Sequence, residues 1–407
     1  MRQSTRILMS MIVMLGLVVA SWPANAQSQP DQAVVIRPGD SIKIGIAVDL
    51  SNILAASGLD IAQSASLAFD EFNAEGGLEG FEIEAIIEDD RCTADDAVPV
   101  AESFAAEPTL VAVVGHTCSG ASIAASEIYQ EARIPMVSAS STAGRFTARG
   151  LDVVNRTAFN DNIQGIVAAR YIYEVLKPDS IVILNNGTPY GEGLAETVRV
   201  TYEDLGGEVV LNRAIDLEAG DYSDVVDEIA PLAPDLIYLG GYNTEAAILI
   251  EQLRTSDLDE VIFFGADGMF NQDYLDFADV YADGTYVTFG VQSGNPTAYN
   301  DFVERYEAAY GLKPTDLGNY GSQAYDAANL ILAALVEVAE VDADGNLVIE
   351  REALIAAIRA TSDYEGISGV ITCDENGDCG RAEITVHLAD GGQWIKLGVP
   401  PNLQVQQ

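Results

Sequence analysis

Two short stretches carry residue types and spacing suited to holding a ligand: Cys118-Ser119-Gly120, and, further along, Ser138-Ala139-Ser140-Ser141-Thr142. Small side chains let a ligand approach the backbone, and hydroxyls beside free amide N–H groups offer several donors at once. That is equipment for an anion, and a carboxylate is the expected one. Both stretches follow strand-like runs. The β-branched run 110–114 reads as a buried strand that ends on Gly115. Ser119, a favourable N-cap, is predicted to open an amphipathic helix over 121–133. The next strand, 134–137, runs directly into the second polar stretch. In a parallel α/β sheet, ligands sit outside the carboxyl ends of the strands, so the two loops are predicted to share one edge and one site.

The elements that must position these loops alternate strand and helix. Strand 42–48, helix 59–73, strand 81–87 and a Thr93-capped helix to 106 precede the first loop. A second series starts at Asp161, with helices 162–176, 191–205, 222–229 and 244–254. It interleaves strands 180–184, 208–211, 236–239 and 261–264, and strand 285–289 follows. Helices 299–310, 320–338 and 351–361 then precede a hairpin of 381–388 and 394–397. Strands alternating with helices imply parallel sheets, and 407 residues are enough for two cores.

Enzymatic signatures are missing. The sequence has no G-x-S-x-G, P-loop, H-E-x-x-H or full dinucleotide fingerprint, and only two histidines. Cys118 beside His116 suggests a thiol nucleophile, but four cysteines in an exported chain suggest two disulfides, and an oxidised Cys118 cannot attack. Locality favours Cys92–Cys118 and Cys373–Cys379 over the two other pairings. Asp374, Asn376 and Asp378 imitate the start of a calcium loop. Cys379 replaces its glycine and Thr385 its bidentate glutamate, so acidic turns are expected and no metal.

Five stretches, in this order and spacing, carry a family resemblance. They are Glu88-Asp89-Asp90-Arg91-Cys92; Gly115-His116-Thr117-Cys118-Ser119; Arg156-Thr157-Ala158 with Asp161 and Gln164-Gly165; Tyr190-Gly191-Glu192-Gly193; and Gly240-Gly241-Tyr242. The chain resembles the periplasmic Leu/Ile/Val-binding proteins, the substrate-binding subunits of branched-chain amino acid ABC importers, over nearly all of residues 42–397. The resemblance implies an α/β, type I periplasmic-binding-protein fold of two Rossmann-like lobes joined by three crossovers. The N-lobe would comprise 42–158 and 291–368, the C-lobe 159–290 and 369–397, with a tail at 398–407. It implies a monomer without cofactor that delivers a captured amino acid to membrane-embedded permease subunits. Cys118, Ser119, Ser140 and Thr142 would meet the ligand's carboxylate, and Asp267 its ammonium, while Tyr190 and Tyr242 close over it. Ser57 stands where relatives often carry an aromatic ring, which leaves the side-chain preference open. An amide, urea or aromatic acid is the alternative ligand, and a periplasmic sensor the alternative role.

The first residues read as a secretory signal: Arg2 and Arg6, an apolar run over 7–20, and Ala24-Asn25-Ala26 before the cut, with a flexible leader over 27–41. The mature protein is expected to be periplasmic and soluble, without membrane insertion. Losing Arg2 and Arg6 takes the formal charge from −43 to −45. Such a charge argues against nucleic acid or anionic lipid as a partner. Self-repulsion of this size is strongest when unscreened. The thermal midpoint is therefore expected to rise between 10 mM and 0.5 M sodium chloride, and a salt-independent midpoint would refute the idea of an acidic surface suited to a salty medium.

Overall fold

The computed structural model describes residues 33–405, apart from 218, 292, 293 and 382. The signal expected over 1–26 lies outside the described residues. Two β-sheets organise the chain. The first holds β1 (Ile42–Val48), β2 (Ile83–Asp89), β3 (Leu110–Gly115), β4 (Met136–Ser138) and β5 (Val154–Arg156). All are parallel, in the order β2-β1-β3-β4-β5. β3 is central, and every one of its residues is buried because helices cover both faces; hence its unbroken apolar run.

The second sheet holds β6 (Ile181–Asn185), β7 (Val209–Ala214), β8 (Leu236–Gly240), β9 (Ile262–Gly265), β10 (Tyr286–Val291), β11 (Glu383–Asp390) and β12 (Gln393–Lys396). Its order is β12-β11-β10-β9-β8-β6-β7. The strands β6 to β10 are parallel, and the terminal hairpin β11–β12 adds antiparallel to β10 at one side. Between β10 and β11 the chain returns to the first sheet. Helix Gly321–Val338 packs there on helix Ala55–Ala74, burying Ala324, Ala327, Ala328 and Ile331 in one core with Ile44, Ile46 and Val114.

Several boundaries differ from the sequence reading. The leader expected over 27–41 contains a strand, Ala33–Ile36, paired antiparallel with Leu347–Glu350. Val34 and Ile36 are buried and Val35 is exposed, an alternation too short to stand out before its distant partner is known. β5 spans Val154–Arg156 and was also absent from the strands expected, since so short a run carries no period. The first helix starts at Ala55 rather than 59. The buried Asp49 carboxylate accepts the N–H groups of Ser51, Asn52 and Leu54 and turns the chain into the helix early.

Asp60, on that first helix, is fully buried beneath the start of helix Gly321–Val338. Ser64 donates to one of its oxygens, and the other has no partner. Desolvation raises its carboxyl to about 7, against the help of Ser64 and the amides of Gly321 and Tyr320. A carboxyl whose folded pKa is raised leaves the unfolded state more ionised between the two values. The folded state then binds the extra proton, so stability falls as pH rises from about 4 to 7, with a slope of up to ~1.4 kcal/mol per pH unit. Urea titrations across this range are expected to show a shallower decline in Asp60→Asn than in the unsubstituted protein. Parallel pH profiles would place the proton elsewhere.

Candidate functional site

The loops at the carboxyl ends of β3 and β4 are tied to each other. Gly115 ends β3 at φ +134°, where a β-carbon would lie 2.3 Å from the Ala47 carbonyl oxygen, so only glycine fits. His116 is buried, with Nδ1 2.7 Å from Asp90 Oδ2 and Nε2 2.9 Å from the Tyr129 hydroxyl. Its carbonyl accepts Ser138 Oγ at 2.8 Å, and the Thr117 carbonyl accepts Ser140 Oγ at 2.8 Å. Cys92 and Cys118 are disulfide-bonded, as are Cys373 and Cys379, so Cys118 has no thiol. The disulfide anchors the first loop to the end of β2.

Ser119 is not the cap of the following helix. The helix runs from Ser119 to Ala132 with Cys118 at the N-cap position and no side-chain cap, which leaves its first amides free for a ligand. The Ser119 hydroxyl instead accepts the Ala143 N–H at 3.2 Å and joins the two loops. From below, the buried Arg156 guanidinium donates to the carbonyls of Ser141, Thr142 and Ala143 at 3.1, 2.7 and 2.9 Å. Its Nε meets Asp378 at 2.6 Å, which fixes the acidic turn to the same loop. The Asp374 carboxylate accepts the amides of Asn376 and Asp378, so it is engaged in holding the turn's own backbone.

The opposite wall comes from the second sheet. Asp267 follows β9 in a short turn, Asp267–Met269, and is 7% exposed. Tyr190 donates to its Oδ1 at 2.8 Å and Tyr320 to its Oδ2 at 2.7 Å. Burial pushes the Asp267 carboxyl up, and the hydroxyls of Tyr320 and Tyr190 pull it back. The Tyr190 and Tyr242 rings stack at 5.1 Å with planes 13° apart. A β-carbon on Gly268 would lie 2.7 Å from the Gly241 carbonyl and 3.0 Å from Tyr190 Oη, so this turn too needs glycine.

One cavity between the sheets is lined by Ser57, Cys118, Ser119, Ser140, Thr142, Tyr190, Tyr242 and Asp267. All eight residues expected to meet the ligand are therefore brought together. Ser57 lies within the first turn of helix Ala55–Ala74 and not at its cap. The cavity also has walls the sequence reading missed: Leu54, Thr117, Phe270, Asn271, Asn319 and Tyr320. Tyr320 is expected only as the first residue of helix 320–338, Asn319 lies just before it, and nothing local marks either. Asp161 was singled out as a motif residue and given no role. It is buried, and neither carboxylate oxygen has a hydrogen-bond partner. Burial, and then the neighbouring Asp267 charge, raise its carboxyl well above the usual range.

Residues 41–389 match the periplasmic binding protein family. The chain belongs to that family. Its members are binding proteins, and no enzymatic role is implied. An amino acid binding protein of Pseudomonas aeruginosa is 32% identical over 67% of this chain and 73% of its own length. A leucine-, isoleucine-, valine-, threonine- and alanine-binding protein of the same organism is 29% identical over 88% of this chain and 91% of its own. Among solved structures, a leucine-binding protein of Thermotoga maritima is similar at a TM-score of 0.78 and 25% identity, over 89% of this chain and all but 1% of the other. The substrate-binding protein LivJ of Streptococcus pneumoniae, solved with isoleucine, gives a TM-score of 0.75 at 25% identity, over 88% of this chain and 100% of the other. This is the type I periplasmic-binding-protein fold. Among the described residues no helix is long and apolar enough to cross a membrane.

The cysteines that tether the first loop are separated by 26 residues. Closing a loop of that size removes about 3–4 kcal/mol of unfolded-state entropy in the chain-entropy account. Replacing both Cys92 and Cys118 by serine is expected to lower the unfolding free energy measured by urea titration by a comparable amount and to weaken ligand binding. Free thiols at both positions in the native, unreduced protein would overturn this.

Proposed function

We propose that the chain is the extracytoplasmic substrate-binding subunit of an ABC importer, capturing an amino acid between its lobes and delivering it to the permease. The observation that carries this reading is the pairing of opposite chemistries across one cavity. The uncapped first amides of the helix that begins at Ser119 line one wall with Cys118, Ser119, Ser140 and Thr142, and the buried Asp267 carboxylate stands on the other. An α-amino acid is a zwitterion, and burying either charge unpaired costs several kcal/mol. Donors for its carboxylate and an anion for its ammonium remove that cost. Charge-assisted hydrogen bonds contribute roughly 1.5–3 kcal/mol each. Three or four of them, less the cost of association, give about −8 kcal/mol, a micromolar Kd.

Asp161 lies beside Asp267 with its carboxyl raised well above the usual range by burial and by that neighbouring charge, and a ligand that carries an amine would favour its ionised form. The relatives named for branched-chain amino acids favour a small aliphatic side chain, set against Leu54 and Phe270, with Ser57 as the polar departure. Entry requires the lobes to part about crossovers near 158–159, 290–291 and 368–369. The ligand, touching both lobes, would then favour closure. Export rests on the amino-terminal signal, and the protein's place is the periplasm.

Isothermal calorimetry on a panel of L-leucine, L-isoleucine, L-valine, L-alanine, acetamide, urea and benzoate tests the reading directly. One or more of the amino acids is expected to bind. Asp267→Asn keeps size and one acceptor but loses the charge, so its affinity for the best amino acid should drop by roughly 2–5 kcal/mol, about 30-fold or more in Kd. Circular dichroism controls for the fold. Unchanged affinity in a folded variant would remove Asp267 from the site and leave an amide or a carboxylic acid as the ligand.

A further inference from the structure

The second oxygen of Asp267 is engaged from across the cleft. Asp267 follows β9 of the second sheet. Tyr320 directly precedes helix Gly321–Val338, which packs on the first sheet and its helix Ala55–Ala74. The 2.7 Å hydrogen bond from the Tyr320 hydroxyl to Asp267 Oδ2 therefore joins the lobes, and both residues are buried. Its neighbour does the same, since Asn319 Nδ2 donates to the Phe270 carbonyl in the turn after Asp267. Consecutive residues of one lobe thus grip a single turn of the other.

We propose that Tyr320, assisted by Asn319, is an interlobe latch that stabilises the closed cleft before any ligand is bound. This adds a positioning residue to the binding reading above and, in its kinetic part, rests on that reading. Three observations support it. First, the Tyr320 ring crosses the cleft as its hydroxyl does. It stacks on Phe159 at 6.4 Å and meets Phe289 of β10, in the second sheet, edge-on at 5.7 Å. This packing orients the hydroxyl toward Asp267. Second, Tyr190 occupies only Oδ1 and comes from Asp267's own lobe, so Tyr320 alone turns this carboxylate into a bridge. Third, a carboxylate has about four acceptor positions, and two hydroxyl donors leave room for an ammonium. The latch and the ligand can therefore hold Asp267 together, and the latch keeps the carboxylate aimed into the cavity.

Opening must break both cross-cleft hydrogen bonds, so removing one shifts the population toward open molecules. Tyr320→Phe deletes the hydroxyl and leaves the ring stacking intact. Small-angle scattering of ligand-free protein decides the matter. Tyr320→Phe is expected to have a larger radius of gyration than the unsubstituted protein, and Asn319→Ser to change in the same direction. Equal radii in all three, with native circular dichroism, would overturn the latch whether or not any amino acid binds. With L-leucine as the probe, stopped-flow release from Tyr320→Phe should be about tenfold faster, the factor for one hydrogen bond to a charged group. In an Asp267→Asn background the same substitution should change release less than twofold, because its effect runs through that carboxylate. Additive effects would show that Tyr320 acts elsewhere and would refute the proposal, while leaving the amino acid reading untouched.

Discussion

The Asp267 carboxylate lies in a cavity walled by both sheets, and an ionised group left there without partners would be destabilising by several kcal/mol. Much of the site's architecture answers that constraint. Tyr190 and Tyr320 each give it a hydroxyl, Gly268 lets the turn approach Tyr190 and Tyr242, and Tyr242 stacks on Tyr190 to hold the ring that carries one donor. The hydroxyls stabilise the charge without neutralising it. A buried anion that is hydrogen-bonded yet uncompensated attracts a cationic group. The facing loops are built of amides and hydroxyls, and the Arg156 charge beneath them is turned toward carbonyl groups and Asp378.

That facing wall obeys the opposite requirement. Amides can serve an incoming carboxylate only if the loop supplies them no internal acceptor and still keeps its shape. Shape comes from behind the loop. His116 bridges Asp90 and Tyr129, the hydroxyls of Ser138 and Ser140 take up carbonyls, the Cys92–Cys118 disulfide pins the end of β2, and Arg156 gathers three carbonyls from the second loop. In the first loop the uncapped amides of helix Ser119–Ala132 stay available, whereas in the second the Ser140, Ser141 and Ala143 amides are taken by Ser138 and Ser119. Two of the serines in the polar stretch are thus spent on holding the loops, and Ser140, which lines the cavity, holds the backbone with the same hydroxyl that faces it.

The two walls belong to different sheets, and neither forms a closed site alone. Asp60 and Asp326 brace the first lobe behind its wall: Asp60 lies under the segment that carries Tyr320, and Asp326 accepts the amides of Ile367 and Ser368 where the chain turns back toward the second sheet. Desolvation raises both carboxyls, to about 7 and about 6.

Much of this was legible in the sequence, for a physical reason. Parallel strands covered on both faces are continuous apolar runs, and helix termini and glycine turns carry their own residue signals, so the β-α alternation and the polar loops at the strand ends are local properties. The four cysteines paired by proximity along the chain, and the family pattern carried Tyr190, Tyr242 and Asp267 to one site. What local sequence could not supply was anything fixed by a distant partner. The strand Ala33–Ile36 exists because Leu347–Glu350 pairs with it, and β5 because β4 lies beside it. Ser119 reads as a cap until Ala143 is seen to use its hydroxyl. Tyr320 reads as the first turn of an apolar helix, and only the return of that helix to the first sheet sets its hydroxyl against Asp267. Residue types fixed which chemistry was available; the crossing of the chain between two sheets decided which groups would face each other, because a hydrogen bond depends on angstroms in space and not on separation in sequence.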